Sequence, residues 1–368
     1  MELNTYFRDF LSEIRLTQNQ ITNLKTGHEN LRDRLNKDEI SEIIIGTFLQ
    51  GSYRRSTAVR PKSGDQSDVD IIVVTNLNKD EITPNNALKK FKPFLDKNYA
   101  DKYEFKGRSI GISMSNVELD VVVTAITEKS DENIFQKIVA LSDLSIEEAE
   151  KGIDSQGITP FSQSAQKFKN FFTELEESYS DEEMLYLPDR EAKAWKPTNP
   201  IEQIRWTTEK NEKTNKHYIN VVKSLKWWKK LNYPGESPKS YPLEHFIGDC
   251  CPDDISSVAD GITLTLEKIV SSHPNKPFLQ DRGVPTQDVF EKITSKQYDA
   301  FYSQVSDAAD IAREAFDSED KHESIAKWKE LFGSKFPDPP KNRNNNDNNG
   351  GFSKRTEKTS DVPGGRFA

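Results

Sequence analysis

Two cysteines, Cys250 and Cys251, are all that the 368 residues contain, and they are adjacent. Neighbouring thiols supply no disulfide framework, and their spacing matches no usual structural zinc site. Long apolar runs are lacking too. Charges occur throughout Met1 to Asp38, and the longest hydrophobic stretches are strand-sized, so neither a secretory signal nor a spanning helix is expected and the reducing cytoplasm is the default compartment. Positive charge is not in excess. With 51 Lys and Arg against 60 Asp and Glu the net charge is −9, which excludes a general nucleic-acid binder, because neutralising phosphates needs a broadly basic surface. Affinity for a polyphosphate has to be local.

What is present suits two lobes and a tail. The informative stretch is Gly51 to Asp70, which joins the apolar run Ile43 to Gln50 to Ile71-Ile72-Val73-Val74. It reads as a buried strand, a Gly51-Ser52 turn with a basic segment, and a second buried strand opening with Asp68 and Asp70. Strand side chains alternate, so these two aspartates share a face while Val69, Ile71 and Val73 take the other. Paired carboxylates on a rigid strand, beside a turn offering backbone N–H groups and a hydroxyl, suit a Mg²⁺-bound triphosphate. The segment Val117 to Thr124 adds Asp120, costly in so apolar a strand unless paired or metal-bound. If the two strands are neighbours, Asp120 becomes a third carboxylate on the same face. Strands and helices in this order predict an α/β sheet in the first lobe.

Ahead of the sheet, apolar residues from Leu3 to Leu35 step by fours and threes. This predicts one helix of roughly 50 Å at ~1.5 Å per residue, a spine along both lobes with Gly27 as a kink, or alternatively a coiled-coil dimerisation helix. The segment Thr83 to Asp96 reads as a helix on the sheet. Beyond Asn133 the chain turns helical and acidic, best read as a solvated face, and Pro188, Pro197 and Pro200 mark a loop. Lys216 to Leu231 predicts a helix with Val221, Leu225 and Trp228 inward and Lys223, Lys226 and Lys230 on another stripe, which calls for an anion or else is an exposed lysine face. Tyr241 beside Ser240 reads equally as a base-stacking platform or a packing aromatic, and His245 as a core histidine. Helical segments are expected up to Lys335 and the composition changes after Phe336; the tail Gly333 to Ala368, of charge +3 and with an Asn-rich block from Asn342 to Asn349, is expected to be disordered and ends in Gly364-Gly365-Arg366-Phe367-Ala368.

Gly51-Ser52, Asp68-Val69-Asp70, Asp120, Lys226-Trp227-Trp228 and Ser240-Tyr241, in this order, resemble the cGAS/DncV-like nucleotidyltransferases (CD-NTases) of bacterial anti-phage signalling, and within them the clade D synthases of cyclic trinucleotides. The resemblance covers residues 1 to about 332. It implies an α/β (α+β) polymerase-β-like nucleotidyltransferase sheet with a long spine helix and a helical C-terminal lobe, divided as 1–165, 166–332 and a tail 333–368. It implies two Mg²⁺ ions about 4 Å apart on Asp68 and Asp70, with Mn²⁺ as a substitute, and Asp120 on the ion that activates the attacking hydroxyl. Gly51, Ser52, Lys226 and Lys223 would hold the triphosphate, and Tyr241, with Ser240, the donor base. The implied product, made from ATP and GTP, is cyclic AMP-AMP-GMP, a second messenger for a downstream effector in the defence system called CBASS. Members often act beside ubiquitin-like E1/E2-type transferases, which makes Ala368 a candidate conjugation terminus; neither DNA nor a membrane is an expected partner. Two rivals use the same residues: transfer of one nucleotide to a protein, RNA or small-molecule acceptor, and a catalytically silent binding module.

Overall fold

The structure is a computed structural model that describes residues 1–62, 64–128, 135–136, 139, 184–233 and 237–340. The expected single spine is two helices, α1 (Asn4–Ile14) and α2 (Gln18–Lys37). The break lies at Arg15 to Thr17 and has a local cause. Thr17 accepts from the Gln20 backbone N–H while the Gln20 side chain accepts from the Thr17 N–H, a capping box that starts a new helix. Gly27 makes no kink. It lies inside α2, where a Cβ would come within 3.0 Å of Val117 Cγ1, so its role is close approach of helix to sheet.

After a 3₁₀ turn, β1 (Ile44–Gln50), α3 (Gly51–Arg54) and β2 (Ser67–Asn78) follow, then α4 (Pro84–Lys90) and α5 (Lys92–Asn98) where one helix was expected. β3 (Tyr103–Phe105), β4 (Ile110–Ser113) and β5 (Val117–Ile126) complete a sheet of order β1-β2-β5-β4-β3. β2 and β5 are parallel and the other neighbours in this order antiparallel. The proline-rich passage is not a plain loop. It contains the hairpin β6 (Leu185–Asp189) and β7 (Ala194–Thr198), with β6 touching β5 at Ala125, and Pro188 and Pro197 fit because a two-stranded extension leaves N–H positions without a required partner. Pro200 then opens α6 (Pro200–Lys213), whose first turn Asn199 caps.

The helical part continues with α7 (Tyr218–Asn232), α8 (Ser240–Cys250), α9 (Val258–Ser272), α10 (Ser295–Asp317) and α11 (Lys321–Phe332). Two main cores result. Leu24, Leu31 and Leu35 of α2 cover the face of the sheet that carries Val69, Ile71 and Val73, whereas Phe7, Phe10, Leu11 and Ile14 of α1 join the core of α7 to α11. Phe10 stacks on Phe332 at 4.6 Å, and Phe7 meets Trp328 edge-on at 5.0 Å and Phe336 at 5.2 Å. Phe336 is fully buried, so packed chain extends past Gly333, where the tail was expected to begin. The 165/166 boundary, most of the acidic helical segment after Asn133 and the tail from residue 341 to Ala368 lie outside the described residues. No described helix is long and apolar enough to cross a membrane.

If α1 is an integral part of the helical core, Phe7→Ala should lower unfolding stability by about 3–5 kcal/mol. Urea titration checks it, and a loss below 1 kcal/mol would mean that α1 docks only peripherally.

Candidate active site

Parallel pairing of β2 with β5 sets Asp70 directly opposite Asp120, and antiparallel pairing with β1 sets it opposite Gln50, the residue before the Gly51-Ser52 turn. Because Val69, Ile71 and Val73 face α2, Asp68 and Asp70 face away from it, on the side of the sheet that carries Ile72 and Val74. The three expected carboxylates therefore share one face. Gly51 has φ +75°, and a Cβ there would lie 1.8 Å from Asp70 Oδ2, so the turn can press against the carboxylate only as glycine. The Ser52 carbonyl accepts from the N–H groups of Thr57 and Ala58 at 2.8 and 3.1 Å, which fixes the basic segment behind the turn.

Burial, then the charges of Asp68 and Asp120, push the Asp70 carboxyl up to about 7, against partial relief from Arg55 and Lys106. Asp68 and Asp70 make no side-chain hydrogen bond or ion pair among the described residues. Such crowding fits a divalent cation, which would remove the repulsion and accept hard oxygen ligands. Asp120 is engaged differently. Lys106 Nζ donates to its Oδ1 at 2.9 Å and Ser109 Oγ donates to the same oxygen at 3.2 Å. Among the described residues no three acidic, histidine or cysteine side chains close into one metal cluster.

Across the cleft, Glu244 of α8 is buried and receives Arg55 Nε at 2.7 Å and Thr57 Oγ1 at 2.8 Å. Lys226 of α7 donates to the Thr57 carbonyl at 3.0 Å and lies 3.6 Å from Glu244 Oε2. Burial alone would raise the Glu244 carboxyl; Arg55 and Lys226 bring it down to about 2. Lys226 is thus already part of a lobe-to-lobe network. Tyr241 donates to Asp281 Oδ2 at 2.7 Å, and the Arg55 guanidinium lies over its ring at 5.7 Å from the centroid. Asp281 is itself fixed by the N–H groups of Gly283 and Val284. His245, with Nε2 at 2.9 Å from the Gln280 carbonyl, is the expected core histidine.

One cleft of about 1480 Å³ gathers Gly51, Ser52, Asp68, Asp70, Lys226, Ser240 and Tyr241. That exceeds the roughly 300–1,000 Å³ of a pocket for one small ligand. Lys229 and Lys230 also line it, but two expected site residues, Lys223 and Asp120, do not; Asp120 stands behind the lining, opposite Asp70 on β5. About one turn back along α7, Lys223 lies beyond the cleft lining and is buried, as Lys226 is, and burial with Arg15 and Lys226 nearby holds its ammonium well below the usual lysine range. The expected lysine stripe therefore reaches the cleft only at Lys226 and Lys230, farther along the helix axis. Sequence reading missed Arg55, Glu244, Lys106, Ser109 and Phe278, the last a cleft residue 65% exposed. Arg55 was visible within the basic segment after Gly51-Ser52. Nothing in the sequence pairs Lys106 with Asp120 until β4 is laid beside β5.

Residues 1–135 match the family model described as the Second Messenger Oligonucleotide or Dinucleotide Synthetase domain. The chain is 40% identical over 385 aligned residues to the cyclic AMP-AMP-GMP synthase of Enterobacter hormaechei subsp. hoffmannii, covering 100% of both. It is 27% identical over 352 residues to the cyclic AMP-AMP-AMP synthase of an Acinetobacter strain, covering 92% of this chain and 86% of that one. Among solved structures, Escherichia coli CdnC with ATP aligns at TM-score 0.64 and 16% identity, over 92% of this chain and 99% of that one. Vibrio cholerae DncV, a cyclic AMP-GMP synthase in complex with a linear intermediate, aligns at 0.52 and 16% identity, over 91% and 88%. These likenesses carry the fold, a mixed sheet with a polymerase-β-like nucleotidyltransferase arrangement.

Two outcomes follow from the charges. A carboxyl raised on folding keeps its proton where the unfolded chain has lost it, so its contribution is full below about 4 and is lost as pH rises to about 7. Without divalent cations, Asp70→Asn should therefore be more stable than wild type at pH 8, on the order of 2–4 kcal/mol, with the gain fading below pH 4. Urea titrations in EDTA at both pH values check this; a variant less stable at pH 8 would show a carboxylate held by attraction instead. Glu244→Ala should cost about 3–5 kcal/mol, because it strands Arg55 and Lys226 as buried charges. The same titration at pH 7 reads it, and a change under 1 kcal/mol would mean that water replaces the carboxylate.

Proposed function

The chain belongs to the bacterial cGAS/DncV-like nucleotidyltransferases, the CD-NTases, which make cyclic oligonucleotides, and we propose that its own product is cyclic AMP-AMP-GMP, formed from ATP and GTP. The observation that carries the choice of product is full-length 40% identity to a synthase of that name. The observation that carries the chemistry is Asp70 in the cleft beside Gly51-Ser52, paired in register with Asp120 on the neighbouring strand.

In this reading Asp68 and Asp70 hold Mg²⁺ with the donor triphosphate, Asp120 completes the set, and Mn²⁺ can replace Mg²⁺. Held there, the ions would supply charge neutralisation at the triphosphate and a lowered pKa for the attacking ribose hydroxyl. The protein supplies position. Gly51 and Ser52 seat the triphosphate at the turn, Lys226 adds charge from α7 without leaving its Thr57 contact, and Tyr241, steadied by Asp281 and Arg55, offers its ring to the donor base, with Ser240 at its edge. Lys223, which does not line the cleft, is left out of the triphosphate site. A ribose hydroxyl then attacks the α-phosphorus in line, the bond to the β-phosphate breaks and pyrophosphate leaves. The cleft volume, larger than one small ligand requires, accommodates the linear intermediate whose rebinding closes the ring.

Beyond the reaction, we assign the protein to the cytoplasm and to CBASS defence, with its product acting on a downstream effector. A ubiquitin-like E1/E2-type transferase acting at Ala368 is the partner that the Gly364-Gly365 ending suggests. E. coli CdnC has been solved with a different partner, a HORMA protein.

Mass spectrometry of phosphatase-treated products, made with Mg²⁺ and all four NTPs, tests the reading. The expected species is one cyclic trinucleotide containing two adenines and one guanine, lost in Asp68→Asn and Asp70→Asn. A closed ring of other composition would overturn the product. A nucleotide found only on an added acceptor would overturn the cyclase reading in favour of a transferase.

A further inference from the structure

Asp120 is the one carboxylate of the three that has an ammonium of its own. Lys106 leaves the end of β3, folds back over β4 and donates from Nζ to Asp120 Oδ1 at 2.9 Å, with Ser109 Oγ on the same oxygen at 3.2 Å. The route is cleared by a missing side chain. Gly111 pairs with Asp120 across β4 and β5, and a Cβ there would lie 2.4 Å from Lys106 Cε, so a side chain at 111 would push the tip of the lysine from its present place. The Lys106 side chain is one-third exposed, at 33%, and Glu104, Glu118 and Asp70 are the other carboxylates whose charges couple to it. It therefore has somewhere to go when displaced. Oδ1 already accepts two hydrogen bonds, and a divalent cation held by the same carboxylate would stand close to the ammonium and repel it.

We propose that Lys106 is a stand-in cation: it holds Asp120 in the free protein and yields that carboxylate to the second divalent ion when the acceptor nucleotide arrives. This rests on Asp68, Asp70 and Asp120 as the cation ligands. It gives Asp120, alone of the three carboxylates, a partner that holds it before an ion arrives. It also orders loading: the first ion enters at Asp68 and Asp70, and the second waits for Lys106 to leave.

The experiment is Mn²⁺ binding to the full chain without nucleotide, read by electron paramagnetic resonance of free Mn²⁺. Wild type should bind one equivalent and take a second only weakly. Lys106→Met should bind the second equivalent at least tenfold more tightly, Lys106→Arg should behave as wild type, and Asp120→Asn in the Lys106→Met background should erase the gain. Superimposable isotherms for wild type and Lys106→Met, with matched thermal unfolding, would overturn the proposal; weaker binding in Lys106→Met would do so too, making the lysine a support for Asp120. Mn²⁺ binding unaffected by Asp68→Asn and Asp70→Asn would overturn the ligand assignment underneath it, a separate failure.

Discussion

The register of two parallel strands governs this molecule. With Asp70 opposite Asp120, two carboxylates meet on adjacent strands of an otherwise apolar sheet, and the surrounding structure answers the resulting charge. Gly51 gives up its side chain so that the turn can pass. Lys106 crosses a strand cleared by Gly111. Arg55 stands on the far side between Asp70 and Glu244. A slip of one residue in that pairing would set an aspartate against the apolar face covered by α2, which is why the alternating valines and isoleucines specify the register so strongly.

The second constraint is the buried quartet of Arg55, Thr57, Lys226 and Glu244. Two residues come from the segment behind the Gly51-Ser52 turn and two from the helices across the cleft. Two cations about one anion in a desolvated place are tolerable only with close geometry and a supporting hydroxyl and carbonyl. The network therefore sets how the turn sits relative to Tyr241, whose ring lies under the same Arg55 guanidinium. The Glu244 contact and the Tyr241 ring are tied together through one side chain, Arg55.

Much of this was legible in the residues. The shared face of Asp68 and Asp70, the place of Asp120, the strands of the sheet and the inward side of α7 all follow from periods of two and 3.6 residues. The relation of the lobes was not, because Glu244 and Lys106 gain meaning only from partners 189 and 14 residues away in sequence. Local capping broke the spine where hydrophobic spacing alone ran through, since Thr17 sits in the apolar sequence pattern yet serves as an N-cap. Prolines misled in the opposite sense: Pro188 and Pro197 occupy a hairpin whose ladder can spare an N–H. Lys223 shows the limit of a stripe, since one turn of helix carries a lysine out of a cleft and into the core.

Division of the spine has a consequence for how the protein is made. Phe7 and Phe10 of α1 rest on Trp328, Phe332 and Phe336, residues that leave the ribosome more than 300 positions later. At roughly 5–20 residues per second the apolar face of the first helix waits on the order of 15–60 s for its partners. The sheet can close over α2 well before that. The helices from Tyr218 and Val258 can cover part of that face earlier, and synthesis of Trp328 to Phe336 completes the cover of a helix made at the start.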